Sequence, residues 1–178
     1  MAGMRLTRGF EQAACIITLL ATQDPSIPIS SEVIHHRLSG SQTYLRKIMR
    51  KLVVAGLIKS VSGNNGGFTI AHSPKKISLY DVVLATEGEI HTYPDTGLID
   101  MVFKDFQPVT KQGTSVINQV FHQADLLWEK ALKKQSVYRV ISDTLGESKI
   151  PLVNWNESDE KRELLIQKLL RNIRQEMK

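Results

Sequence analysis

Residues 29–70 read ISSEVIHHRLSGSQTYLRKIMRKLVVAGLIKSVSGNNGGFTI, and the grammar of this stretch changes three times. A short helix-forming run ends at Ser39-Gly40, a pair suited to a tight turn, where Gly40 relaxes the backbone. Residues 41–55 then place Leu45, Ile48, Met49, Leu52 and Val53 at the i, i+3, i+4, i+7 and i+8 spacing of one apolar helical stripe. Ser39 or Ser41 can cap this helix, since a hydroxyl accepts from the free amides of a first turn. Two β-like runs follow, residues 57–61 and 68–71, joined by Ser62-Gly63-Asn64-Asn65-Gly66-Gly67. Asn and Gly tolerate positive φ, so this joint is a hairpin tip.

Opposite the apolar stripe lie Gln42, Thr43, Arg46, Lys47, Arg50 and Lys51. Hydrogen-bonding side chains in the first turn meet base edges, and cations further along meet phosphates, when such a helix enters a major groove. Helix, turn, basic helix and glycine-rich hairpin in this order spell a winged helix-turn-helix whose partner is double-stranded DNA. The hairpin tip, with Asn64 and Asn65, is the wing.

Working outward, residues 7–22 form a first helix with Phe10, Ala13, Ala14, Ile17 and Ala21 on one face, closed by Asp24-Pro25. Residues 30–38 form a second, with Ile34 and Leu38 facing the same core. After Pro74, the residues Ile77, Val82, Val83 and Ala85 predict a short helix up to Glu87, and residues 88–113 read as loop. Residues 115–134 keep Ile117, Val120, Phe121, Ala124, Leu127, Trp128 and Ala131 at helical spacing, over a length beyond what a small winged helix needs for its own core. Such a stripe suits pairing with a second copy. A short helix over 137–145 follows, then a Pro-containing connector over 146–155, then an amphipathic helix over 158–177 carrying Ile166, Leu169, Leu170 and Ile173.

The expected fold is mainly α with a small β-hairpin wing: a winged helix-turn-helix DNA-binding domain plus a long dimerisation helix. Residues 1–88 form the DNA-binding domain, 89–114 a loop and candidate effector region, 115–146 the dimerisation helices, and 147–178 the connector and C-terminal helix.

The chain has 178 residues, 42% of them hydrophobic, and a formal net charge of +5. That length supports one domain with appendages. Residues 1–80 hold ten Lys and Arg against three Asp and Glu, whereas residues 81–178 hold thirteen against fifteen. The basic footprint thus coincides with the helix-turn-helix, as affinity through counterion release requires. No apolar run approaches a membrane span and the N-terminus lacks a signal peptide's apolar core, so a cytoplasmic location is expected. The one cysteine, Cys15, excludes an internal disulfide and argues against a cysteine-only metal site within one chain.

Several motifs together resemble the Rrf2 family of bacterial winged-helix transcription regulators. They are Met4-Arg5-Leu6-Thr7, Ser41-x-x-Tyr44-Leu45, Ala55-Gly56-Leu57-Ile58-x-Ser60-Val61-x-Gly63, Gly66-Gly67-Phe68, Ile77-Ser78-Leu79-x-Asp81-Val82-Val83 and Glu87-Gly88. They cover the first half of the chain in detail, and the long helix matches in position. The resemblance implies a homodimer on an imperfect palindrome, with recognition helices in successive major grooves and wings at the flanking minor groove. It implies base readout by Gln42, Thr43 and Arg46, and phosphate contacts by Tyr44, Lys47, Arg5 and Thr7. Relatives that hold an iron-sulphur cluster carry three cysteines after the Glu-Gly step, and residues 88–113 hold none, so no such cluster and no other cofactor is expected. Ser62 and Asn64 stand where the family's wing usually has arginines, which lowers the charge attraction into a minor groove. His35 stands where relatives commonly have alanine.

The remaining reactive residues have plain readings beside sharper ones. Cys15 reads as an inert helix cysteine, with a redox-sensing thiol as the alternative. His35, His36, His91 and His122 lack metal-ligand spacing and read as ordinary histidines. Tyr93, Phe103, Phe106 and Trp128 serve core and dimer packing, or line an effector pocket. Gly66-Gly67 lacks the ending of a phosphate loop. Lys168, Arg171 and Arg174 belong to a C-terminal helix that folds back on the dimer. The function expected is that of a repressor controlled by an effector or partner protein acting near residues 88–113 or the long helix. No nucleophile, base and acid stand at motif spacing, so an enzyme is not expected. The rival is a protein-interaction module, a regulatory subunit with vestigial DNA binding.

Overall fold

Thr7 sets where the chain first becomes helical: its backbone is extended and its hydroxyl accepts from the Gly9 amide at 3.1 Å. The computed structural model describes residues 5–157 together with Glu163 and Gln167. Most of the C-terminal helix expected over 158–177, with Lys168, Arg171 and Arg174, lies outside the described residues. Contacts divide the chain into two units, one of residues 1–88 and 135–178 and the other of residues 89–134.

In the first unit, α1 (Arg8–Ala21), α2 (Ser31–Leu38) and α3 (Gln42–Val54) are followed by β1 (Ile58–Val61), β2 (Gly67–Ile70) and α4 (Leu79–Glu87). The order and limits agree with the sequence reading to within a residue or two. The core is shared among these elements: Ala13, Ile16 and Ile17 of α1, Ile34 of α2, Ile48 and Leu52 of α3, Ile58 of β1 and Val82 of α4 are all at most 2% exposed. Burying each large aliphatic side chain stabilises the fold by about 1.5–3 kcal/mol. The Ser78-x-x-Asp81 pair is a capping box, with the Ser78 hydroxyl accepting from the Asp81 amide at 3.2 Å and the Asp81 carboxylate from the Ser78 amide at 2.7 Å.

The hairpin is antiparallel, pairing Ile58 with Ile70 and Val61 with Gly67. Ile29 extends it, exchanging two 2.9 Å backbone hydrogen bonds with Phe68 on the outer side of β2. Gly67 is required by that approach, because a Cβ there would stand 2.1 Å from the Ile29 carbonyl oxygen. Gly67→Ala is expected to destabilise the fold by about 3 kcal/mol, the upper end of ordinary overpacking, since backbone and not a side-chain tip blocks the space. Denaturant unfolding with an unchanged midpoint would contradict the three-segment arrangement.

The turn into α3 differs from the expectation in one respect. Ser39, and not Gly40, takes the left-handed conformation (φ 45°) and closes α2. Gly40 instead admits a neighbour: a Cβ there would meet Gln12 Nε2 at 3.1 Å.

α7 (Val137–Leu145) also belongs to this unit, with Val137 and Ile141 in the same core. The sequence reading grouped it with the dimerisation helices. The Leu79 amide donates to the Gln135 carbonyl and the Val137 amide to the Ile77 carbonyl, both at 2.8 Å, which ties the start of α7 to the start of α4. The connector after α7 is docked as well, since Val153 forms a parallel bridge with Gln23.

In the second unit, residues expected to be loop contain α5 (Leu98–Val102), and the long helix α6 (Gln107–Lys133) begins at Gln107 where the periodicity placed its start at Ser115. Pro108 explains the earlier start, because a proline lacks only an amide that a first turn leaves unbonded anyway. Asp125 of α6, 7% exposed, accepts from the Thr92 hydroxyl at 2.6 Å and the Thr92 amide at 3.2 Å. Tyr93 stacks on Phe121 with ring centres 5.2 Å apart.

Candidate nucleic-acid interface

α3 is half sunk in its unit. Leu45, Ile48, Met49 and Leu52 are buried, while Gln42, Thr43, Arg46, Lys47 and Arg50 share the solvent side. Val53, expected in the stripe, is 36% exposed. Eight residues at 3.6 per turn carry it about 80° round from Leu45, to the margin of the buried face. No acidic residue lies in the first turn, and among the described residues Arg46, Lys47 and Arg50 form no ion pair. Ser41 is the N-cap residue, yet its side chain makes no capping hydrogen bond. The first-turn amides of α3 are therefore not capped by Ser41, and the positive end of the helix lies beside Gln42 and Thr43, a favourable setting for an anion.

Two residues expected at the DNA also have partners within the chain. Lys51 is half-buried and its ammonium donates to the Thr86 carbonyl at the C-terminal end of α4, where the helix dipole favours a cation. Thr7 uses its hydroxyl twice, accepting from Gly9 as cap and donating to Glu87 Oε1 at 2.7 Å. Tyr44, 39% exposed, reaches towards the start of α1, where a Cβ on Gly9 would meet its hydroxyl at 3.1 Å. Arg5 is exposed just before that helix. Tyr44 and the α1 N-terminus thus meet at one end of α3, and Arg5 lies shortly before α1 in the chain. At the wing, Ser62, Gly63, Asn64 and Asn65 are all exposed, and the Gly66 amide closes the tip on the Gly63 carbonyl at 2.9 Å.

His35 has a role that its sequence context did not disclose. Its Nε2 lies 2.9 Å from the Gly40 carbonyl oxygen. A carbonyl only accepts, so Nε2 carries the proton, and the ring holds the turn that aims α3. Cys15 is exposed on α1, and partial burial followed by the Glu11 carboxylate raises its thiol pKa. A thiol kept protonated is a poor nucleophile, which favours the inert reading over the sensor.

The Rrf2 family model, described as an iron-dependent transcriptional regulator, matches residues 6–143. The chain belongs to the Rrf2 family of DNA-binding transcriptional regulators. It is similar to the HTH-type transcriptional regulator YwgB of Bacillus subtilis, at 35% identity over 144 residues that cover 81% of this chain and 88% of that one. Among solved structures, that of CymR (YrzC), the global cysteine regulator of B. subtilis, superposes with a TM-score of 0.55 at 20% identity, covering 79% of this chain and 98% of that one. IscR of T. potens gives 0.58 at 22% identity, covering 80% and 89%. These structures share the winged-helix fold. Among the described residues of one chain the family's iron finds no fitting set of donors. Cys15 is its one cysteine, and among the described residues no three His, Cys, Asp or Glu side chains are grouped to hold a metal ion. Among the described residues no helix is long and apolar enough to cross a membrane.

Proposed function

We propose that this chain is a homodimeric, sequence-specific repressor that acts in the cytoplasm by binding alone. The solvent face of α3 carries the reading: Gln42, Thr43 and Arg46 reach base edges, while Lys47, Arg50, Tyr44 and Arg5 engage phosphates. Asn64 and Asn65 of the wing hydrogen-bond at the flanking minor groove. Homodimerisation is supported by α6, a 27-residue helix that buries only Thr110 and Asp125. Its Val109, Val116, Val120 and Leu127 are 53–69% exposed. Their spacing puts them on one side of the helix, a stripe of the kind a second subunit covers. Control by an effector is assigned to residues 89–134, where Phe103 and Phe106 are 53% and 64% exposed.

Selection of bound duplexes from a random-sequence pool by the full chain tests this reading. It should enrich a palindromic motif whose half-sites lie about one helical turn apart. Fluorescence anisotropy on that motif should show a steep loss of affinity with salt. A pool that stays unenriched, with equal binding to every duplex, would overturn it.

A further inference from the structure

α2 braces the recognition helix, yet it buries only one side chain, Ile34, with Val33 and Leu38 half-buried against the core. A helix anchored at so few core positions depends on further contacts to fix its orientation, and the turn at Ser39-Gly40 links that orientation to α3. The chain beyond the family-matched residues 6–143 supplies the missing anchors.

Residues 153–156 run across the loop between α1 and α2 as a strap. At the end of α1, the Val153 amide donates to the Thr22 carbonyl at 2.8 Å and the Trp155 indole Nε1 to the Thr22 hydroxyl at 2.9 Å. The Trp155 amide donates to Gln23 Oε1 at 2.8 Å, while Gln23 Nε2 donates to the Ile27 carbonyl at 3.0 Å. Thr22 and Gln23 are 8% and 4% exposed, so the strap satisfies polar atoms that water does not readily reach. At the start of α2, Asn156 accepts from the Ser30 amide at 3.2 Å and donates to the Pro28 carbonyl at 2.8 Å. At its far end, the Arg37 guanidinium lies over the Trp155 ring, 4.6 Å from the centroid. The strap therefore grips α2 at both ends and fastens it to α1. Trp155 and Asn156 also share a groove with Gln42, the first residue of α3.

We propose that Trp155 and Asn156 are positioning residues for DNA readout, fixing α2 and through it the aim of α3. They touch no base themselves. The inference rests on the DNA-binding function proposed above. Its test compares the full chain with Trp155→Ala, Asn156→Ala and Trp155→Phe, at a temperature well below the melting point of every variant. Each is titrated by anisotropy against the selected operator and a scrambled duplex of equal length. The ratio of the two affinities is expected to fall roughly ten-fold per half-site in the alanine variants, the worth of about one misplaced base contact in each subunit. Binding to the scrambled duplex and its salt slope should stay as in the parent, because the phosphate-binding cations are unchanged. Trp155→Phe keeps a ring under Arg37 and should recover part of the ratio. A lowered melting temperature with an unaltered ratio would show a merely structural strap and overturn the proposal. If the parent chain itself fails to discriminate the duplexes, the DNA reading falls, and the role of the strap with it.

Discussion

The Arg46→Ala, Arg50→Ala double variant is expected to lose operator affinity by a factor of about 10³ while remaining folded. Both side chains are on the exposed face of α3 and form no ion pair among the described residues, so their removal leaves no buried partner behind. A change at such positions alters stability by no more than about 0.5 kcal/mol. The binding loss has two separable parts. Arg46, near the first turn, is assigned to a base edge, where a good bidentate contact carries about 1–3 kcal/mol of discrimination. Arg50, one turn on, is assigned to a phosphate, and its loss should reduce the salt slope by about 0.9 per half-site. In a dimer each effect counts twice. Arg46→Ala alone should therefore relax sequence preference at one position of each half-site with the slope kept, and Arg50→Ala alone should weaken all duplexes alike. Anisotropy across a salt series separates the two, and equal affinity in the double variant would sink the assignment of this face.

The helix-turn-helix was legible because its signals are local. Leu45, Ile48, Met49 and Leu52 repeat within one helix, and Gly66-Gly67 stands at the joint of the hairpin. The contacts that sequence reading does not anticipate are those whose partners are distant in sequence. Lys51 reads as one more cation of a basic helix, and only the fold brings the Thr86 carbonyl, 35 residues on, to its ammonium. Thr7 is likewise drawn to Glu87, 80 residues away. The strap is the extreme case: Ser30 and Asn156 are 126 residues apart and Thr22 and Trp155 are 133 apart, so no periodicity links them. A Pro-containing connector and a strap have the same composition, and packing alone tells them apart. His35 was conspicuous in sequence, and its purpose appears once the Gly40 carbonyl is seen to lie beside its ring.

Placing a charge in the proposed seam of α6 should separate the protomers. Val116, Val120, Ala124, Leu127 and Ala131 follow one another at steps of three or four residues, and all five are exposed in the single chain. Thr110 and Asp125 mark a different side, which the helix turns into its own unit. Val120→Asp with Leu127→Asp replaces two apolar contacts per subunit, and two-fold symmetry brings each new carboxylate towards the partner's seam. Burial of unpaired carboxylates there costs more than the dimer can absorb, whereas in a monomer both remain in water. Light scattering should report a monomer with the parent's helical content. Operator affinity should fall by about 10²–10⁴, because the second half-site no longer binds at the effective concentration set by the first. Affinity for an isolated half-site should be unchanged, which separates loss of pairing from loss of the reading head. If the doubly charged variant still runs as a dimer, α6 is not the seam, and its exposed stripe must face some other partner.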